Sequence, residues 1–212
     1  MPPSPVANRR YRGSSAEERR AQRREQFLRA AIQVYGEQGY RHATVKAVCE
    51  AAGLTERYFY ESFSNSEELL VASFQAVMHF LLGELEKAVA EAPGGPIERA
   101  RAMLSAYYEA LKANPQSARV FLVEISGVSP AVDQALEASL RALGDLLART
   151  IDPQGESRAA AEPLLRAGVI GGVIHIALSW IASGYSQPIH EAVDAAMRLC
   201  LVLRGQGWTA GA

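Results

Sequence analysis

TVKAVCEAAGLTERYFYESF, residues 44–63, reads as a helix, a tight turn and a second short helix. Thr44 is a natural N-cap, because its hydroxyl can accept from the free amides of a first helical turn. Val45, Val48 and Cys49 recur at i, i+3 and i+4 and form one apolar stripe. Gly53 stands where the first helix must end and the chain must turn sharply. Thr55 then offers a second N-cap. Phe59 and Phe63, four residues apart, face inward, which leaves Arg57, Tyr58, Tyr60 and Ser62 to face elsewhere. Such a pair of short helices, with the second exposed, is a helix-turn-helix, whose second helix enters the major groove of DNA.

Outward from this stretch, helical periodicity runs nearly end to end and strand signals are almost absent. Residues 1–14 are rich in Pro, Arg and Ser and read as a flexible basic arm. Ser14 or Ser15, with Glu17 or Glu18 three residues on, predicts a capping box opening the first helix, which carries Phe27, Ala31, Val34 and Tyr35 and ends at Gly39. After the motif, Ser64 or Asn65 caps a long helix with Glu67 and Glu68 in its first turn, where the helix dipole favours acids. PGGP at 93–96 ends it. Further helices are predicted over 97–113, 117–126, 129–151, 157–183 as one long apolar helix, and 189–205. The expected fold is all-α with about nine helices. The expected division is the arm at 1–14, a three-helix DNA-binding domain at 15–64, and a helical effector-binding and dimerisation domain at 65–212.

The charge is divided the same way. Residues 1–64 carry 11 Lys and Arg against 7 Asp and Glu, whereas residues 65–212 carry 11 against 16. A basic head on an acidic body is the asymmetry expected when only the head meets phosphate. Two cysteines, Cys49 and Cys200, make neither a disulfide framework nor a zinc site and point to a reducing, cytoplasmic setting. The N-terminus has no apolar core of a signal peptide. The longest uncharged apolar run, residues 167–182, is 16 residues, short for a membrane span. No membrane partner and no cofactor are expected. His42, His79, His175 and His190 are scattered without metal-ligand spacing.

Residues 30–70 resemble the DNA-binding domain of the TetR family of transcriptional regulators. The resemblance is carried by Tyr35 with Gly39-Tyr40, Thr44, the Ala52–Thr55 segment, Tyr60 with Phe63, and Glu67-Glu68-Leu69-Leu70. It implies a homodimeric regulator, most simply a repressor, released from a palindromic operator by a small molecule; an activator with the same head is the alternative. The chain departs from the family's usual form where Arg57 and Tyr58 replace a Gly and a small residue, and where Ser66 replaces a frequent Lys. Glu61 and Ser62 stand where a His or aromatic is common.

The predicted partners are double-stranded DNA, a small effector and a second copy of the chain. For DNA the candidates are Thr44, Lys46, Thr55, Arg57, Tyr58, Tyr60 and Ser62. Arg57 and Tyr58 lie nearest the base edges, and Thr44 and Lys46 sit at a helix N-terminus suited to phosphate. Tyr60 resembles the family's phosphate-contacting tyrosine. Arg9, Arg10, Arg12, Arg19, Arg20, Arg23 and Arg24 form a basic arm and helix face suited to phosphates or to solvent. For an apolar or aromatic effector the candidates are Met78, Met103, Tyr107, Phe121, His175 and Trp180; plain core packing explains the same residues. For the dimer they are Gly168 and Gly172, one turn apart, and the stripe Ala192, Ala196, Leu199 and Leu203. The sequence shows no paired carboxylates, activated nucleophile or phosphate-cradling loop, which argues against an all-α enzyme.

Overall fold

A computed structural model describes residues 15–205, so the predicted arm, with Arg9, Arg10 and Arg12, lies outside the described residues. The described chain is all helical: α1 (Ala16–Gln38), α2 (Val45–Ala52), α3 (Glu56–Ser62), α4 (Ser66–Glu91), α5 (Pro96–Ala113), α6 (Pro115–Arg119), a π-helical turn (Val120–Glu124), α7 (Pro130–Ile151), α8 (Arg158–Ala161), α9 (Pro163–Ala182), α10 (Ile189–Cys200) and a final 3-10 turn (Leu201–Arg204).

The ends follow the local chemistry. Ser15 and Glu18 form the reciprocal capping box of α1, Thr44 accepts from the Ala47 amide at α2, and Asn65 accepts from the Glu68 amide at α4. Gly53 closes α2 at φ 65°, a left-handed conformation that costs a Cβ-bearing residue. The Leu54 amide then reaches back to the Cys49 carbonyl at 3.0 Å, the signature of a Schellman close. Thr55 occupies the N-cap of α3, but its hydroxyl makes no capping hydrogen bond, unlike the sequence expectation.

Two segments differ from expectation. The predicted continuous helix over 157–183 is broken into α8 and α9 at Glu162, whose ψ of 114° is extended. Proline explains it: the Pro163 ring clashes with a helical preceding residue. The predicted 117–126 helix is instead α6 followed by the π-helical turn, a loosened winding that recurs at functional positions.

Phe27 of α1 is the hub of the α1–α3 cluster. Its ring meets Phe59 edge-on at 5.7 Å and Phe63 at 6.2 Å, and all three are buried. Each such burial contributes about 1.5–3 kcal/mol. Helix α4 packs on α1 through its first turns, where Leu69 and Leu70 are fully buried, and continues into a bundle with α5 and α7. Helices α9 and α10 pack on one another, α9 against α7 and α10 against α5. The Tyr108 hydroxyl donates to the Val173 carbonyl at 3.1 Å and ties α5 to α9. Trp180 Nε1 donates to the Gln187 carbonyl at 2.8 Å and pins the turn before α10. By length and composition alone α4 and α9 are each long and apolar enough to cross a membrane, a property that core helices of soluble proteins share; in α9 only 28% of that apolar stretch is buried.

Candidate nucleic-acid interface

Helix α3 is seven residues long, too short to be stable alone. Phe59 holds its inner face. Its far end is held by α1: Arg20 donates to the Glu61 carbonyl at 3.0 Å and Arg24 to the Ser62 carbonyl at 2.7 Å, while Arg23 lies 4.5 Å over the Tyr58 ring. Arg20 and Arg24 therefore satisfy free carbonyls at the C-terminal end of α3 and oppose its negative dipole end. The basic face expected on α1 is thus, for Arg20, Arg23 and Arg24, a clamp on the second helix of the motif. The sequence held the signal: positions 20, 23, 24 and 27 fall on one helical face, and Phe27 is core.

The clamp leaves a defined outer surface. Arg57 is well exposed, its side chain 85% open, with Nε 3.1 Å from Glu61 one turn on. Tyr60 is 59% exposed, its ring edge-on to Phe59 at 5.2 Å. Lys46 is open and 3.9 Å from Glu50. Tyr58 is exposed at its edge but packed under Arg23. The Ser62 hydroxyl donates to the Tyr58 carbonyl at 3.0 Å and so serves the helix itself. The Thr44 hydroxyl is engaged as the α2 cap. The candidates left exposed and outside the clamp are Lys46 on α2, Thr55 at the start of α3, and Arg57 and Tyr60 on it.

A second junction, absent from the sequence expectation, joins this unit to the remaining helices. Glu124 in the π-helical turn accepts from the Tyr40 amide at 2.7 Å and from Arg119 Nε at 3.0 Å. Arg119 also donates to the Gly36 carbonyl at 3.3 Å. Gly36 is required here, because a Cβ on it would sit 2.4 Å from that of Gln116. On α4, Glu67 accepts from the Ser129 hydroxyl at 2.7 Å. The end of α1 and the start of α4 are both anchored to the α6–α7 region. No sequence pattern flags these pairs, whose members lie more than 60 residues apart.

Among the effector candidates, Met103 and Tyr107 of α5 line one internal cavity of about 20 Å³, with Leu85 of α4, Leu147 of α7 and Ile170 and Val173 of α9. Met78 and Phe121 are buried elsewhere, Phe121 stacked on Phe74 at 6.0 Å. His175 is exposed and, with Trp180, edges a surface groove between α9 and α10. The six residues therefore do not form one pocket.

The dimer candidates are also divided. Ala192, Ala196 and Leu203 are buried inside the protomer, which corrects the expectation that this stripe faces a second copy: α10 turns its apolar side onto α5 and α9, and the final 3-10 turn, which carries Leu203, packs on α7 and α8. Leu199 fills the notch over Gly172, where an added Cβ would stand 2.7 Å from Leu199 Cδ1. Gly168 alone of the set opens outward. It lies on an exposed face of α9 with Leu164, 82% open, Ala167, Gly171 and His175. The same 3.6-residue periodicity that picked α10 would have picked this face of α9.

Residues 27–72 match the family described as bacterial regulatory proteins, tetR family. The HTH-type transcriptional regulator TcmR of Streptomyces glaucescens is 30% identical over 148 residues, 69% of this chain. The HTH-type transcriptional activator FasR of Mycolicibacterium smegmatis is 28% identical over 134 residues, 61% of this chain. The alignments span 61% of each relative's length. In structure, the fatty acid degradation regulator FadR of Bacillus halodurans superposes with a TM-score of 0.72 at 22% identity, covering 84% of this chain and 94% of that one. FadR of Bacillus subtilis, solved in complex with stearoyl-CoA, superposes with a TM-score of 0.70 at 21% identity, covering 83% and 96%. These structures share the fold.

Proposed function

We propose that this chain, whose residues 27–72 belong to the tetR family of bacterial regulatory proteins, is a homodimeric, ligand-responsive transcriptional regulator of the cytoplasm. Residues 15–64 read DNA, and residues 65–212 bind the effector and the second copy. The observation that carries this is the clamped α3, which presents Arg57 and Tyr60 outward on a helix held at its base by Phe59 and at its end by Arg20 and Arg24. Rigid presentation of a short helix is what a major-groove reader requires. Arg57 is placed for a guanine edge or a phosphate, Tyr60 and Lys46 for phosphates.

Dimerisation uses the exposed face of α9. A helix this apolar with so little of it covered needs a partner, and Gly168 and Gly171 let a second helix approach closely. A two-fold dimer reads two half-sites about 34–36 Å apart.

The cavity between α4, α5, α7 and α9 is the effector site. At about 20 Å³ it admits one water-sized centre, so a larger ligand binds only when the walls part. Leu85 makes α4 one of those walls, and the first turns of α4 carry Leu69, Leu70 and Glu67 against α1 and Ser129. An effector that favours the parted state therefore moves α4 and with it α1, the helix that clamps α3. Its differential affinity for the two states sets the change in DNA affinity. Release from the operator, hence repression, is the simplest outcome; the similarity to the activator FasR supports activation as the second reading. The apolar lining suits an apolar ligand, and the fold neighbour solved with stearoyl-CoA shows an acyl compound on this scaffold. The relatives are named as regulators, and no catalytic role is assigned.

The test is binding of the full chain to duplexes enriched from random DNA. The native protein binds one sequence class at sub-micromolar affinity. Arg57→Glu loses that binding while keeping its melting temperature. Undiminished binding by Arg57→Glu would refute α3 as the reading helix.

A further inference from the structure

The Tyr107 hydroxyl is buried and makes no hydrogen bond among the described residues. Burying a polar group without a partner is costly, and native proteins rarely do so without a reason. Tyr107 is a wall of the α4–α5–α7–α9 cavity, whose other walls are aliphatic side chains and Met103. A single water would fit the space, but a buried water needs two to four polar partners and the surface lining this space is wholly apolar. Burial also holds the phenol protonated far above the ordinary tyrosine range, so it stays a neutral donor.

We propose that Tyr107 selects the effector's chemistry: the ligand is an uncharged, largely apolar molecule with one buried oxygen acceptor, a carbonyl or ether, that takes the Tyr107 hydrogen bond. This rests on that cavity being the effector site. A plain hydrocarbon chain leaves the phenol unpartnered. A carboxylate meets no cation among the lining residues and would be buried uncompensated. Parting the walls to admit a ligand brings the phenol into contact with it, and Met103 supplies an adaptable opposite wall.

The experiment compares three matched series on the full-length protein and on Tyr107→Phe: phenyl ketones with alkyl chains from methyl to octyl, the corresponding alkylbenzenes, and the phenylalkanoates. Affinities come from calorimetry and from the ligand-induced rise in melting temperature. Native protein binds its best ketone about threefold to tenfold more tightly than the matched alkylbenzene, and the carboxylates more weakly than either. Tyr107→Phe brings ketone and alkylbenzene to equal affinity, leaves the alkylbenzene constant unchanged, and melts no lower than native protein without ligand. A ketone preference that survives in Tyr107→Phe, or is absent from native protein, overturns the proposal while leaving the cavity as the site. A fall of several degrees in ligand-free Tyr107→Phe would give the hydroxyl a structural role and also overturn it. If no compound in any series binds, the cavity is not the effector site, and both readings fall.

Discussion

The guanidinium of Arg23 lies 4.5 Å from the ring centroid of Tyr58. One residue on, Arg24 sits 4.2 Å from the centroid of Phe63 and donates to the Ser62 carbonyl. These contacts join α1 to the motif's second helix from Tyr58 to its C-terminal end, so the orientation of α1 sets the orientation of α3. They also sort the arginines of the head into those that build the reading surface and those that form it.

Arg24→Ala and Arg57→Ala should therefore differ in kind. Arg24→Ala removes a charge-assisted hydrogen bond and a cation–π contact and lowers stability by about 1–2 kcal/mol. It weakens DNA binding through the loss of α3 order, with the salt dependence unchanged. Arg57→Ala leaves stability within about 0.5 kcal/mol of native. If it contacts phosphate, it flattens the plot of log affinity against log salt by about one unit. Denaturant melts and binding titrations between low and moderate salt separate the two; a flattened slope in Arg24→Ala with unchanged stability would contradict the clamp.

The dimer surface is tested by Leu164→Glu. The side chain is 82% exposed, so the protomer keeps its fold, while a charge placed on the face of α9 opposes its burial. The expected result in sedimentation is a dimer dissociation constant raised at least about tenfold. Ala196→Glu, at a site with no exposure, should instead unfold the protomer. Dimerisation unchanged in Leu164→Glu would place the interface elsewhere.

Glu124 latches the π-helical turn to the end of α1 through the Tyr40 amide. Glu124→Ala leaves that amide and the Arg119 Nε without their acceptor and costs about 1–3 kcal/mol of stability. Because the turn that carries the latch packs on α4, a wall of the cavity, as well as on α1, the ratio of operator affinities with and without effector should shrink several-fold in this variant. An unaltered ratio would show that coupling runs through α4 alone.

Glu68 gives a pH signature at the start of α4. The hydrogen bond from the Ser64 backbone amide, at 2.7 Å, lowers its carboxyl below the ordinary value, with Arg24 adding to the effect. A carboxyl lowered in the folded state stabilises the fold fully above the unfolded value, about 4.3, and that contribution is lost as pH falls through the folded value. Glu68→Gln should cost about 0.5–1 kcal/mol near neutral pH, and its melting temperature should converge on that of the native protein in acid. A gap that persists in acid would mean packing rather than charge.

Much of this was legible in the sequence. Local chemistry announced the cap at Thr44, narrowed those of α1 and α4 to Ser14 or Ser15 and to Ser64 or Asn65, and gave the turn at Gly53 and the inward Phe59 and Phe63, because each is decided within a few residues. The break at Pro163 was legible too, since proline constrains the residue before it, but the apolar run from 167 onward masked it. The latch at Glu124 and the pairing of Glu67 with Ser129 were not legible, because they depend on how distant helices meet. The dimer stripe on α10 illustrates a limit of periodicity: an apolar face identifies something to be buried without saying whether its own chain or another buries it. Tyr107 read as core or pocket; that its hydroxyl has no partner among the described residues emerges only from the packing around it.

The most direct measurement is selection of bound duplexes from random DNA by the intact protein, followed by footprinting of the enriched site. The predicted result is a palindrome whose half-sites are centred about one helical turn, roughly 34–36 Å, apart, protected by the native protein and not by Arg57→Glu. Enrichment of no sequence, or of an asymmetric site protected equally by Arg57→Glu, would contradict a dimer that reads DNA through α3.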